Sequence, residues 1–404
     1  MKNYIRAEKV IYSLTNNNLS FKIKNYLKTF VFKKRFLARF NHDIKSFTIK
    51  RGMTTHRSID IDDSLLIERL KCFYLTCDAN FEGNKNSVWA DIFRKLHGDI
   101  HAAFINSDHD KITDILRTPG KYNLFYGFEN LSRDLIKNKR LEDILEPEMA
   151  MDTLLSTCEA AGLIPMSNPE SIKIHKAVDS EVAVQLLETE FDLRLRFPNP
   201  FEGEYGIQTS RGILSYRAAQ AIYQAWKIST ITKGISKPRI LEIGGGLGRT
   251  AFFCRLFGIY DYSIVDIPIS SLAQGNFLGR VLSENEIILN DDTSGDKSED
   301  SKIKLIYPKA FFSSKKKYDL IVNFDSLTEL DVEIAKEYLQ KISEVGNLFY
   351  SINHEFNSFS INSIWKSISG IKRLFRQPSW VRRGYVEELF DQSEAEIVAA
   401  VMQK

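Results

Sequence analysis

Long apolar runs are missing from this 404-residue sequence. No stretch of about 18 apolar residues occurs, which excludes a transmembrane helix. The first residues hold no compact apolar segment with a small-residue cleavage site, so a secretory leader is not expected. Cysteine is scarce: Cys72, Cys77, Cys158 and Cys254 are scattered and form no C-x-x-C pair. That argues against a disulfide framework or a structural zinc site, and for a reducing, cytoplasmic location. There is no internal repeat and no recognised nucleic-acid module, so nucleic acid is not an expected partner. What remains is 43% apolar and 26% charged, the composition of an ordinary globular chain long enough for two or three domains.

The net charge of +3 hides an asymmetry. Residues 1–51 hold 13 Lys/Arg against Glu8 and Asp43, which leaves 42 basic and 50 acidic residues for the remainder. Within that basic segment Leu19, Ile23, Tyr26, Leu27, Phe30, Leu37 and Phe40 fall near helical spacing. Two readings follow. The apolar stripe packs on the body of the protein, or the segment lies on an anionic surface, peripherally at the inner membrane face.

Residues 61–206 read mostly as helices. "DDSLLIERLKCFYL" opens with a cap at Asp62 or Asp63, "EPEMAMDTLLSTCEAAGL" stops at Gly162, and "DSEVAVQLLETEF" starts from Asp179. "RFPNPFEGEYG" (Arg196 to Gly206) reads as a Pro/Gly-rich connection and a boundary, followed by the long helix "SYRAAQAIYQAWKIST". From Arg239 strands and helices alternate: "RILEI", "YSIVDI", "SKIKLIY", "YDLIVNF" and "NLFYSIN" are strands, with "DVEIAKEYLQKISEV" as the helix between the last two. This predicts an α/β, Rossmann-like, doubly wound parallel sheet preceded by a mostly helical domain. The expected division is a basic segment 1–60, a helical acceptor-covering domain 61–206 and a cofactor-binding domain 207–404.

"RILEIGGGLGRTAF" (Arg239 to Phe252) places a tight glycine turn between a strand and a helix, where an open α/β sheet binds ligands. Gly244, Gly246 and Gly248 make G-x-G-x-G, while Gly246, Gly248 and Ala251 also satisfy the dinucleotide pattern G-x-G-x-x-A. Asp266, ending the second strand, suits ribose hydroxyls in either case. Glu242 separates the two readings: it would repel a pyrophosphate and attract a ligand bearing an ammonium group. S-adenosylmethionine (SAM) has an amino group and a sulfonium, and its carboxylate can meet backbone N–H groups at the helix start. Arg249, opening that helix, and Asn323, in the strand "YDLIVNF", complete the expected cofactor-binding set.

With "YSIVDIP" about twenty residues later, this motif resembles class I SAM-dependent methyltransferases. "FPNPFEGEYGI" with "LSYRAAQAIY", "YDLIVNFDSLTELD" and "FYSINHEFN" further resemble a family of bacterial sugar O-methyltransferases, over roughly residues 145–390. The resemblance implies methylation of a sugar hydroxyl in a bacterial surface polysaccharide, O-antigen or capsule, or its precursor. Leu330 stands where the family's stretch would carry a methionine.

A sugar hydroxyl is a weak nucleophile near neutral pH, so a general base is expected beside the methyl group. His354, following a strand at its carboxyl end, is the first candidate; Glu329 and Asp325 in "NFDSLTEL" are the others. Ser326 and Glu329 could equally form a capping box for the next helix. Asp325, Glu329 and Glu355 could supply oxygen ligands to a divalent metal, although no tight metal spacing is visible. His97 and His101 lack the intervening Glu of a zinc-protease motif. Tyr205, Tyr216 and Arg217 before the first strand, and Arg382, Arg383 and Tyr385 near the C-terminus, suit a sugar acceptor; the last three suit an anionic sugar or phosphate. The alternatives are methylation of a small-molecule or nucleotide-linked amine or hydroxyl, and a non-catalytic scaffold of the same fold in a membrane-associated glycan assembly. Oligomeric state is not legible.

Overall fold

The computed structural model describes residues 39–43, 47–55, 62–79, 91–129, 145–166, 178–289, 301–366 and 370–392. The apolar stripe from Leu19 to Leu37 lies outside the described residues; its last member, Phe40, is buried. The segment just after it is tied to the body. The Asn41 and His42 N–H groups donate to Asp152, and the His42 ring sits between Asp152 (2.8 Å) and Glu159 (3.2 Å).

Strand β1 (Arg51–Met53) is followed by helices α1 (Ser64–Ala79), α2 (Gly98–Ile105), α3 (His109–Arg117), α4 (Glu146–Ala160) and α5 (Ser180–Phe191). Asp108 caps α3 and Asp179 caps α5, each side chain accepting a backbone N–H of the first turn. Helix α4 ends where Gly162 takes φ +73°, the left-handed conformation that glycine adopts without penalty. The hairpin β2 (Tyr205–Thr209) and β3 (Gly212–Leu214) joins β1 in a three-stranded antiparallel sheet. The stretch expected as a mere connection is packed: Phe197 and Phe201 belong to the same hydrophobic core as the strands that follow.

Helix α6 (Tyr216–Ile231), capped by Ser215, leads into the alternating region. This comprises β4 (Ile240–Ile243), α7 (Arg249–Leu256), β5 (Tyr262–Val265), α8 (Pro268–Leu282), β6 (Ile287–Leu289), β7 (Ile303–Ile306) and α9 (Pro308–Ser313). It continues with β8 (Tyr318–Phe324), α10 (Val332–Val345), β9 (Gly346–His354), α11 (Ile361–Trp365), β10 (Lys372–Pro378) and β11 (Tyr385–Asp391). The sheet order is β10-β11-β9-β8-β4-β5-β7-β6. The six strands from β9 to β6 run parallel, and the β10–β11 hairpin adds antiparallel to β9. This is the doubly wound, Rossmann-like α/β fold, extended by an edge strand and a C-terminal hairpin that periodicity did not show. After β4 the chain builds outward on one side through β5, then crosses to β8 on the other. The crevice of such a sheet therefore opens between β4 and β8.

Alternate residues along the strands enter different cores, as a period of two requires. Ile240, Leu320, Val322 and Tyr350 face the core shared with α1–α8. Leu241, Ile321 and Phe349 face the core shared with α10 and α11. The helical region lies directly on the sheet's first layer. A Cβ on Gly275 or Gly279 of α8 would come within 2.5–2.6 Å of Leu70 or Leu66, so these two glycines let α1 pack close. Asp63, buried at the start of α1, clamps this junction through Arg117 (2.5 Å) and Arg280 (2.7 Å). It is an ion-pair anchor more than the simple helix cap its position suggested.

Candidate active site

The glycine turn leaves β4 with Gly244, Gly246 and Gly248 all at positive φ (+73°, +54° and +81°). A side chain on Gly244 would collide with Ser326 Oγ, whereas one on Gly246 would meet nothing within 4 Å. Gly244 is thus a packing requirement, and Gly246 borders open space. That space is a cleft of about 160 Å³, lined by the turn, Glu242, Asp266, Asp325, Ser326 and Glu329 among others.

Two buried acids give the cleft its electrostatic character. Burial pushes the Glu242 carboxyl up to about 8, aided by nearby Asp266, and the Tyr262 hydroxyl donates to it at 3.0 Å. Burial likewise pushes Asp266 up to about 6 against hydrogen bonds from Ile267 N–H and Gln274. Gln274 also donates to the Gly246 carbonyl at 3.1 Å, joining the acid to the turn.

Two expected cofactor residues sit otherwise. Asn323 is fully buried and does not line the cleft: it donates to the Ile243 carbonyl at 2.8 Å and accepts from Asn353 at 2.8 Å. Its amide bolts the end of β4 to β8 and β9. Arg249 does line the cleft, but its guanidinium is engaged by Glu129 (2.8 Å) and Glu204 (2.6 Å) and lies 4.8 Å from the Phe277 ring centre. Burial raises Glu204 despite this arginine. The trio joins the helical region, the β2 approach and the turn, and neither Glu129 nor Glu204 was picked out from the sequence. The capping reading of Ser326 and Glu329 is also overturned. Ser326 Oγ donates to the Ile243 carbonyl at 3.0 Å, and α10 is capped by Asp331 instead.

A second cavity, of about 600 Å³, adjoins the cleft, sharing Gly127, Phe128 and Arg217 with it. His354, Tyr216, Arg217, Arg382, Arg383 and Tyr385 all line it, gathered from the ends of β9, α6 and β11. Tyr205 does not. It pairs with Met53 across the β1–β2 ladder, and burial raises its hydroxyl beside Arg51 and Glu148. Exposed aromatics that the sequence did not mark out also line the cavity: Phe356 at 96% exposure and Tyr126 at 40%.

Asp325 lines the smaller cleft and is bonded to residues that line the larger cavity. It is a non-glycine residue at φ +57°, immediately after β8. Its Oδ2 accepts from Arg382 (2.5 Å) and from the Tyr385 hydroxyl (3.1 Å). Its buried Oδ1 accepts no hydrogen bond and lies 3.8 Å from His354 Nε2. The Phe356 N–H donates to His354 Nδ1 at 3.4 Å, and the imidazole stands edge-on to the Tyr385 ring at 5.2 Å between centres.

Glu355, weighed as a metal ligand, is paired with Arg376 at 2.6 Å, which also holds its carboxyl below the ordinary carboxylate range. Among the described residues, no group of three or more His, Cys, Asp or Glu is arranged to hold a metal ion. His97 is buried against the Asn123 carbonyl, and burial lowers it. His101 meets the Tyr74 hydroxyl at 3.1 Å.

No family model matches the sequence, and no curated protein does. Several solved structures are similar. One is a glycopeptide N-methyltransferase complexed with sinefungin, at 12% identity over 42% of this chain and 93% of that one, TM-score 0.33. Another is the ribosomal protein L11 methylase of Lactobacillus delbrueckii subsp. bulgaricus, at 13% identity over 43% and 78%, TM-score 0.31. A third is magnesium protoporphyrin IX methyltransferase from Synechocystis with bound SAM, at 10% identity over 43% and 81%, TM-score 0.30. Likeness of this degree says nothing about the acceptor or the reacting residues.

Proposed function

We propose that the chain is a SAM-dependent O-methyltransferase acting on a sugar hydroxyl, in a bacterial surface polysaccharide or its precursor. The observation that carries the reading is the pair of adjoining cavities linked by the hydrogen bonds of Asp325: a small acidic cleft on the glycine turn, and a larger aromatic and basic one beside it. The residues present fit the cofactor. The turn gives a ligand close access to its backbone at Gly246, Asp266 suits ribose hydroxyls, and Glu242 suits a cationic amino acid group. A pyrophosphate would face the Asp266 carboxylate and oppose ionisation of Glu242, with Arg249 already committed to Glu129 and Glu204. When bound, SAM supplies an electrophilic methyl group on a sulfonium.

The chain's own residues then position the acceptor and take its proton. Arg382 and Tyr385 fix the Asp325 carboxylate, whose free oxygen faces His354. With Nε2–H facing Asp325, His354 receives the hydroxyl proton on Nδ1 as the long 3.4 Å contact from the Phe356 N–H gives way, and Asp325 stabilises the imidazolium that forms. The 600 Å³ cavity is large enough for one or two sugar rings, and Phe356 and Tyr126 present apolar faces to them. The sugar acceptor itself rests on the sequence resemblance.

Incubation with methyl-labelled SAM and a panel of nucleotide sugars, free glycans and lipid-linked glycans tests the proposal. Label transferred to a sugar oxygen supports it. Preferential binding of NAD(H) over SAM, or transfer only to amines, would overturn it. The excess of basic residues before position 52 supports a peripheral contact with anionic membrane. Salt-sensitive co-sedimentation with anionic vesicles, lost on deleting residues 1–38, is the expected result.

A further inference from the structure

Arginines outnumber carboxylates on the walls of the larger cavity. Four arginines line it: Arg39, Arg217, Arg382 and Arg383. Its acids are Glu129, Glu146 and Asp152, and each is already engaged. Glu129 takes Arg249, Asp152 takes His42, and Glu146, the first residue of α4, accepts the Tyr216 N–H at 3.2 Å. Arg382 is committed to Asp325. The sequence suggested Arg382 and Arg383 together as an anion grip, and the structure removes the first of these.

Arg39 has a partner of its own, which leaves Arg217 and Arg383. Among the described residues neither has a carboxylate partner. Arg217 bonds only the neutral Gln220 amide, at 3.1 Å, and lies 5.7 Å from the Tyr216 ring centre; Arg383 is exposed. Arg217 also occupies the first turn of α6, a helix with no acid in that turn, where the helix dipole disfavours a cation. A guanidinium held there, on the wall of a cavity and bonded only to a neutral amide, gains further stabilisation when an anion arrives. The planar fork of arginine matches phosphate and carboxylate oxygens.

We propose that the methyl acceptor carries an anionic group, a phosphate or a carboxylate, held by Arg217 and Arg383. This deepens the reading of the site as a sugar methyltransferase and rests on it. A neutral sugar would leave both guanidiniums without an anionic partner, whereas a nucleotide-linked or otherwise phosphorylated sugar, or an acidic sugar, would engage them.

Calorimetry on the full chain tests this with three probes: inorganic pyrophosphate, UDP and glucuronate. At least one is expected to bind, more weakly as salt rises. Arg383→Gln should weaken that binding about tenfold or more, and Arg217→Gln with Arg383→Gln further still. Arg383 does not line the cofactor cleft, so SAM affinity of the single variant reports that the protein is folded. Binding of pyrophosphate and UDP but not glucuronate identifies a phosphate-bearing acceptor, and the reverse an acidic sugar. If no probe binds, or the double variant binds them as tightly as the parent, the proposal fails. Failure of the parent to bind SAM would overturn the cofactor reading alone; loss of the anion effect with SAM binding intact overturns only this one.

Discussion

His354 Nε2 stands 3.8 Å from Asp325 Oδ1, the one oxygen of that half-buried carboxylate that accepts no hydrogen bond, while Arg382 and Tyr385 occupy the other. The pair joins the carboxyl ends of two adjacent strands, with one member lining each cavity. His354→Ala should therefore lower turnover by about 10²- to 10⁴-fold while leaving SAM affinity nearly unchanged. Asp325→Asn should also lower turnover, without backbone strain, because Asn tolerates the left-handed conformation. Single-turnover kinetics with calorimetry for SAM check both; full activity in His354→Ala would return the proton to Glu329 or to solvent.

The glycines of the turn should not be equivalent. Gly244→Ala adds a collision with Ser326 to the cost of positive φ and should destabilise by more than about 2 kcal/mol. Gly246→Ala has open space around its Cβ, so only the backbone cost of about 1 kcal/mol applies. It should nonetheless weaken SAM binding, because the methyl group occupies the space the ligand needs. Thermal unfolding and calorimetry on the two variants separate packing from access.

Cofactor affinity should depend on pH through Glu242, held up to about 8 in the ligand-free cleft. A cationic ligand favours the ionised carboxylate, so below pH 8 binding releases a proton and weakens as pH falls. For the free protein the sign is reversed. A carboxyl raised in the folded state contributes stability below its unfolded value, lost as pH rises towards 8. Calorimetry in buffers of different ionisation enthalpy should detect proton release at pH 7, absent in Glu242→Gln.

Replacing Arg249 by leucine leaves Glu129 and Glu204 buried without their cation and should cost about 3–5 kcal/mol. Adding Glu129→Gln and Glu204→Gln to Arg249→Leu should recover part of that loss. Denaturant unfolding measures both; a neutral Arg249→Leu would mean that the trio does not hold the helical region to the turn.

The anchor at His42 should titrate. Burial alone would lower this imidazole, but hydrogen bonds from it to Asp152 and Glu159 outweigh burial and hold it at about 9. Its contribution is complete below pH 6.5 and is lost as pH rises through 9. The difference in melting temperature between the parent and His42→Gln should accordingly shrink across that window.

Local chemistry made much of this protein readable from its residues. A strand, a glycine turn and a helix occupy consecutive positions, and the left-handed backbone of Gly244, Gly246 and Gly248 leaves glycine little competition. Glu242 and Asp266 follow from the same strand ends, and Ser215 and Asp179 cap helices through residues two or three positions away. Tertiary structure decided the rest, because sequence spacing does not say which way a polar side chain at a strand end turns. Asn323 turned inward to tie β4 to β8, Tyr205 went to a small separate sheet, and Arg249 was taken by carboxylates 120 and 45 residues away in the chain. The meeting of Asp325, His354, Arg382 and Tyr385 depends on β11 pairing antiparallel with β9, and β9 lying beside β8. Such non-local pairing is set by which apolar faces can be buried together, a property of the assembled sheet and of no single stretch of chain.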